Sequence, residues 1–159
     1  MEIRQATPAD CPAIEKVMQN AFGPFKQHYT PLAYANTVVN QEELLKRMTK
    51  GITWVAIDDE QILGTVSVAF HKEWLYITGM AVDPKAQGKK MGYQLMAHLE
   101  DYARNNGHAQ LYLGTVPYLL RAVALYKNMG YYPREIHKKK WCGIDTIWFE
   151  KTIKTLAIK

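Results

Sequence analysis

A chain of 159 residues has the size of one average domain and is long enough to bury about two thirds of its unfolded surface without disulfide staples. Hydrophobic residues at 48% and charged residues at 22% exclude disordered, collagen-like and low-complexity classes, and no apolar run approaches the roughly 20 residues of a membrane span. Twenty Lys and Arg against fifteen Asp and Glu give a net charge of +5, which suits an anionic ligand but is low for a dedicated nucleic-acid binder.

Met1 to Gln5 reads as a short edge strand, with no secretory signal because Glu2, Arg4, Asp10, Glu15 and Lys16 interrupt any apolar centre. The expected compartment is the cytoplasm. Thr7-Pro8-Ala9-Asp10 supplies an N-cap, a proline at the first helical position and an acid at the third. Ile14, Val17, Met18, Ala21 and Phe22 then form one helical stripe, which Gly23-Pro24 ends. Phe25 to Asn40 is irregular and aromatic; its rings, with Phe22, suit either an acceptor pocket or helix packing. Asn40 caps a second helix carrying Leu44, Leu45 and Met48, closed by Gly51. This first third is expected to form one wall of a pocket.

Ile52 to Ile57 and Ile62 to Phe70 are β-branched and aromatic runs joined by Asp58-Asp59-Glu60-Gln61, an antiparallel hairpin. Trp74 to Val82 is the next strand, ended by Asp83-Pro84. A basic, glycine-containing loop follows, then a helix with Met91, Leu95, Met96, Leu99, Tyr102 and Ala103 at helical spacing, closed by Gly107. His98 and Tyr102 lie four apart on that helix and can meet on one face. Ala109 to Leu113 makes a strand-helix-strand unit, and hence a parallel pair. Leu119 to Met129 is a fourth helix, stopped by Gly130. Tyr131 to His137 and Ile144 to Ile153 complete the sheet, with Lys138 to Gly143 as an exposed connection. There is no internal repeat or linker, so residues 1–159 read as a single domain. Cys11 and Cys142, like His28, His71, His98, His108 and His137, are dispersed, and none has metal-ligand spacing.

The most informative segment is Met80-Ala81-Val82-Asp83-Pro84-Lys85-Ala86-Gln87-Gly88-Lys89-Lys90-Met91-Gly92-Tyr93. Read by itself it is either a strand-to-helix turn with solvated lysines or a pyrophosphate site. In the second case free backbone N–H groups and the helix dipole attract negative charge. Gln87-Gly88-Lys89-Lys90-Met91-Gly92 resembles the acyl-coenzyme-A loop of the GNAT N-acetyltransferases, Arg/Gln-x-x-Gly-x-Gly/Ala. Ala122 to Tyr131, with Leu125-Tyr126 and Gly130-Tyr131, is similar to that family's Leu-Tyr-x-x-x-Gly-Phe close. These motifs cover residues 75–135, and the order of elements agrees over the whole chain. Two departures stand out. Lys90 replaces the middle glycine and is expected to keep an ordinary backbone conformation with its side chain turned away. Leu119 replaces a common asparagine, which removes one cofactor hydrogen bond.

The resemblance implies a mixed α/β fold with about four helices around a mostly antiparallel sheet that splays at one parallel pair. It also implies transfer of an acetyl group from acetyl-coenzyme A to a primary amine of a small molecule or peptide by direct attack. Cofactor contacts fall on Met80, Ala81, Val82, Gln87, Gly88, Lys89, Lys90, Met91, Gly92 and Tyr93, with backbone N–H groups near Met80 to Val82 facing the thioester carbonyl. Tyr126 would protonate the departing thiolate, its alternative being a packing role on the helix stripe. Glu73 is the first candidate for the base that deprotonates the amine, with His71 and Tyr76 behind it; Phe70 to Glu73 reads equally as a polar turn. A homodimer is compatible with all of this. The alternatives are a catalytically idle acyl-coenzyme-A sensor, and a nucleic-acid binder using His137 to Trp141, a stretch that otherwise reads as a solvated hairpin.

Overall fold

The structure, a computed structural model, describes residues 1–134 and 140–156. Seven strands are seen among them: β1 (Glu2–Gln5), β2 (Gly51–Asp58), β3 (Gln61–His71), β4 (Trp74–Val82), β5 (Gln110–Thr115), β6 (Tyr132–Pro133) and β7 (Ile147–Thr152). They form one sheet in the order β1-β2-β3-β4-β5-β7-β6, antiparallel throughout except for β4 and β5. The helices are α1 (Cys11–Phe22), α2 (Pro31–Thr37), α3 (Gln41–Lys50), α4 (Met91–Asn105) and α5 (Leu120–Asn128). No helix among the described residues is long and apolar enough to cross a membrane.

The helices cover both faces of the sheet because the strands carry apolar residues on both. Trp54, Ala56, Val66, Val68, Leu75 and Ile77 pack with α4, α5 and Phe149 in the larger core. Val55 and Ala81 pack with α1 and Leu44 of α3 in the smaller one. On α1 the stripe Ile14, Val17, Met18 and Phe22 is buried as its spacing requires. Leu45 of α3 is instead 42% exposed, so Leu44 anchors that helix with Met48 packed partly buried beside it. The hairpin turn is Asp59-Glu60, both at positive φ (52° and 62°), the left-handed geometry that matches the twist of a two-residue hairpin. His98 and Tyr102 do share a face: both pack edge-on against Trp54.

Gly23-Pro24 ends α1 as expected, and a separate 3-10 helix over Gly23–His28 follows it. Three sequence expectations need correction. Within the stretch read as irregular, Thr30 caps α2 by accepting a hydrogen bond from the Ala33 N–H at 3.1 Å, so the described residues hold five α-helices rather than four. The strand expected over Tyr131 to His137 is seen only at Tyr132–Pro133, and residues 135–139 lie outside the described residues, as does most of the basic run His137 to Lys140. The connection read as exposed turns inward at its end: Trp141 and Cys142 are half-buried against Ala33 and Val116, and the Thr30 hydroxyl donates to the Cys142 carbonyl at 2.7 Å.

Asp10, third in the N-terminal turn, accepts two hydrogen bonds from Arg4 (2.8 and 3.0 Å) and one from the Thr7 N–H (2.8 Å). The Arg4 guanidinium is the main reason its carboxyl drops from 3.8 to about 2. A carboxyl with a depressed folded pKa stabilises the fold above its unfolded value, and that contribution fades as pH falls through the folded one. Asp10→Asn should therefore flatten stability against pH between about 4 and 2, measured by urea midpoints across that window. An unchanged acid limb would remove Asp10 as a contributor.

Candidate active site

The site begins where the sheet comes apart. Parallel pairing of β4 with β5 covers only Trp74–Ile77 against Gln110–Leu113. Beyond it, residues 78–82 and 114–115 have no cross-strand partner in each other, and a wedge opens between them. On its other edge β4 carries one extra residue: Thr65 pairs with Ala81 but Ser67 with Thr78, so the step from 65 to 67 is answered by three residues of β4. Gly79 absorbs this bulge at φ +64°, a conformation that costs a residue with a Cβ about 1 kcal/mol or more. The bulge also switches the phase of the strand. Before it Leu75 and Ile77 face the α4 and α5 core; after it Met80 and Val82 do, while Ala81 turns to the α1 side.

The wedge widens into a cavity of about 980 Å³ running from the start of α4 to the 3-10 helix after α1. At the α4 end, Asp83 organises the loop. Its carboxylate accepts from the Lys85 N–H (2.9 Å) and the Asn20 amide (2.8 Å), and its own N–H donates to the Leu63 carbonyl (2.7 Å). Burial pushes the Asp83 carboxyl up, but these two donors and the neighbouring lysines outweigh it and hold it below its ordinary value. With its oxygens occupied, Asp83 is a structural clamp. The first turn of α4 holds no acid and its capping residue, Lys90, offers no acceptor, so the amides of Met91, Gly92 and Tyr93 are free for an outside anion. Gln87, Gly88 and Lys90 to Tyr93 all border the cavity. Gly92 lets the start of α4 lie close to β4 and α5: a Cβ there would have to push aside the flexible end of Met80 (Cε at 2.9 Å) and meet Leu125 Cδ2 at 3.3 Å.

Lys90 departs from expectation. It sits at φ +61°, in the left-handed region, rather than in an ordinary conformation, and an exposed lysine there tolerates about 1 kcal/mol of strain. The loop keeps the backbone path a glycine would take, because α4 must start at Met91 to bury that residue's side chain. Lys89 turns away to pair with Asp58 at 3.3 Å and does not border the cavity.

Tyr126 on α5 lines the wall, with its ring packed among Phe149 (6.1 Å between centroids) and Tyr131 (6.0 Å). The ring thus fills the packing role on the helix stripe, while the hydroxyl makes no hydrogen bond among the described residues. A buried tyrosine hydroxyl ordinarily has a partner, so an unpaired one at a cavity wall is available to a ligand. Burial drives its pKa well above 10, which keeps it protonated and able to donate.

Glu73 lies elsewhere. It is exposed in the two-residue turn between β3 and β4, seven residues before Met80, or about 20 Å along a strand. His71 belongs to a separate shallow depression with Trp74, Tyr112 and Arg134. Of the three base candidates only Tyr76 borders the cavity, its pKa pushed up by burial and partly restored by Arg47. Among the described residues no Asp, Glu or His lines the cavity at all. The far wall comes from the aromatic first third: Phe22, Phe25 and Tyr29 line the cavity, while Tyr34 packs edge-on against Tyr29 at 5.9 Å. His28 stacks on Tyr118 at 4.6 Å, joining the 3-10 helix to the β5–α5 connection.

Sequence reasoning missed three contributors. Gly79 carried a signal, since a glycine inside a strand pattern marks a bulge. Arg47, in the last turn of α3, and Trp148, in β7, carried no such signal; both line the cavity.

The acetyltransferase (GNAT) family model matches residues 14–131. The fold superposes on the PaiA N-acetyltransferase from Thermoplasma acidophilum, solved in complex with coenzyme A, with a TM-score of 0.82 over 96% of this chain and 98% of that one, at 16% identity. The ribosomal-protein-S18-alanine N-acetyltransferase from Escherichia coli gives 0.76 over 98% and 96%, at 19% identity. In sequence, the streptothricin acetyltransferase of Streptomyces lavendulae is 28% identical over 103 residues, 63% of this chain and 50% of that protein. The chain matches half or less of the length of its curated relatives.

Proposed function

Because the chain belongs to the acetyltransferase (GNAT) family, we propose that it transfers an acetyl group from acetyl-coenzyme A to a primary amine of a small molecule or peptide. The observation that carries this reading is the continuity of one cavity from the free amides of α4, through the β4–β5 wedge, to the aromatic wall. An anion held at one end and an amine admitted at the other would meet at the strand bulge.

The loop from Gln87 to Tyr93 would hold the pyrophosphate. Free N–H groups and the positive end of a 15-residue helix act there on a group of like geometry and opposite charge. Bound acetyl-coenzyme A would supply an activated thioester and a thiol leaving group. Backbone groups of Met80 to Val82, freed from β5 by the wedge, are fixed dipoles beside the reacting carbonyl and need no rearrangement to stabilise developing charge. Tyr126 keeps its proton for the sulfur. Direct attack by the amine is favoured over a thiol relay, since Cys11 is buried in the smaller core and Cys142 does not line the cavity. With no carboxylate or imidazole on the described wall, the amine loses its proton to water. kcat/KM should then climb with pH according to the acceptor's own ammonium group, and the Glu73→Gln profile should overlay the wild type. A flattened limb in that variant would return Glu73 to the mechanism.

The deciding experiment is release of free coenzyme A thiol across a panel of amines, paired with hydrogen exchange. Acetyl-coenzyme A should protect Gln87 to Tyr93, and at least one amine should drive thiol release above the hydrolysis background. Protection without release for any amine would identify an idle sensor instead.

A further inference from the structure

Arg47, on the last turn of α3, lines the cavity where β4 bulges. Its Nη1 lies 2.6 Å from the place a Cβ on Gly79 would occupy, so the missing side chain of the bulge glycine is what admits the guanidinium. That nitrogen is closed to solvent and has no hydrogen-bond partner. The guanidinium forms no ion pair among the described residues; Glu43, one turn earlier, is exposed and pairs with Lys46 at 3.4 Å. Burial lowers the Arg47 pKa, yet arginine remains a cation at any physiological pH. A half-buried cation without a counter-ion is a standing cost, and the usual resolution is a bound anion.

The rest of the wall agrees. Among the described residues lining the cavity the cations are Arg47, Lys90 and Arg121, and there is no acid. Lys90 precedes the first turn of α4, in the loop proposed for the pyrophosphate, and Arg121 lies in the first turn of α5, whereas Arg47 sits at the β4 bulge beside Gly79, close enough to Tyr76 to act on it, and Tyr76 stands by Trp148 with ring centroids 6.4 Å apart. Such a chamber repels a polycation and has nothing to bind a second ammonium group. It offers a planar, donor-only fork, the geometry that matches a carboxylate.

We infer that the acceptor is an amino acid, whose free carboxylate pairs with Arg47 beside the Gly79 bulge while its amine faces β4. This rests on the acetyl-transfer reading above. The carboxylate supplies the missing counter-ion, and the short reach from carboxylate to α-amine keeps the nucleophile next to the wedge.

The test uses matched pairs, phenylalanine with phenethylamine and tyrosine with tyramine, alongside spermidine, in thiol-release assays. Binding of the N-acetylated form of each is measured separately by calorimetry in the presence of coenzyme A. A charge-assisted pair of this kind is expected to favour the carboxylated member by about 10- to 100-fold in both readouts. Arg47→Gln should shrink that preference to within about threefold, with Arg47→Lys between, and should keep or raise Tm because it removes an unpaired charge. Turnover favouring spermidine or the decarboxylated amines overturns the inference while leaving acetyl transfer intact, as does a preference that survives in folded Arg47→Gln. Arg47-dependent binding of N-acetyl amino acids without thiol release from any amine sinks the transfer reading and keeps the carboxylate site.

Discussion

Tyr126→Phe is expected to lower kcat by about 10²-fold with little change in affinity for acetyl-coenzyme A. The substitution keeps the ring against Phe149 and Tyr131 and deletes one oxygen that has no protein partner among the described residues. Its structural cost should therefore be smaller than the roughly 1 kcal/mol of an ordinary lost hydrogen bond, and Tm should hardly move. The kinetic cost is larger because a bond to departing sulfur strengthens as negative charge builds, a gain absent from the ground state. Coenzyme A is already a tolerable leaving group if its thiol resembles the free cysteine value of about 8.5, so the decision line is set at tenfold. A folded Tyr126→Phe enzyme within tenfold of wild type in kcat, under conditions where chemistry limits turnover, refutes the general-acid role.

Lys151→Met should destabilise the protein by about 3 kcal/mol, the largest effect expected of any single surface-to-core contact here. Glu100 of α4 is buried and accepts from the Lys151 Nζ (2.8 Å) and the Tyr131 hydroxyl (2.9 Å); Nζ also donates to the Met129 carbonyl at 2.6 Å. One ammonium group therefore ties α4, the end of α5 and β7 together. Removing it leaves a buried carboxylate with only a phenol for company, while Met preserves most of the stem's packing. For a domain of this size the loss corresponds to a fall in Tm of about 10 °C, read by calorimetry or by the urea midpoint at constant slope. Glu100→Leu combined with Lys151→Met should recover much of it, since two apolar side chains need no counter-ion. A single variant as stable as wild type would show that water already screens the pair.

Much of the fold was legible because its elements are long and periodic. The bounds of β4 follow from Trp74 to Val82 being β-branched and aromatic until Asp83-Pro84, and α4 shows an unbroken stripe from Met91 to Ala103. α2 was not legible: seven residues with only Ala33 buried make no stripe, and only Thr30-Pro31 marked its start. The loop between β4 and α4 was read through its motif, yet the left-handed Lys90 shows that a motif's backbone can persist after its glycine is gone. The acceptor side was hardly legible. Tyr29, Arg47, Tyr76 and Trp148 come from four distant segments, and only the fold brings them to one cavity. Glu73 illustrates the converse: adjacency in sequence to the central strand did not bring it to the cavity, which opens toward the other end of that strand.

The wedge also changes where the unpaired strand edges of the sheet lie. Open sheets are vulnerable along unpaired edges, where another chain can dock its backbone and begin to aggregate. The outer margins here are modest, since β1 has four residues and β6 two. Parting β4 from β5 creates two further unpaired margins in the middle of the sheet, about as long as those outside. They border a cavity also lined by residues of α5 and of the aromatic 3-10 segment, so these edges open onto that chamber rather than onto the outer margins of the sheet. Strand edge that would elsewhere invite another chain is thus placed beside the chamber instead of at the ends of the sheet.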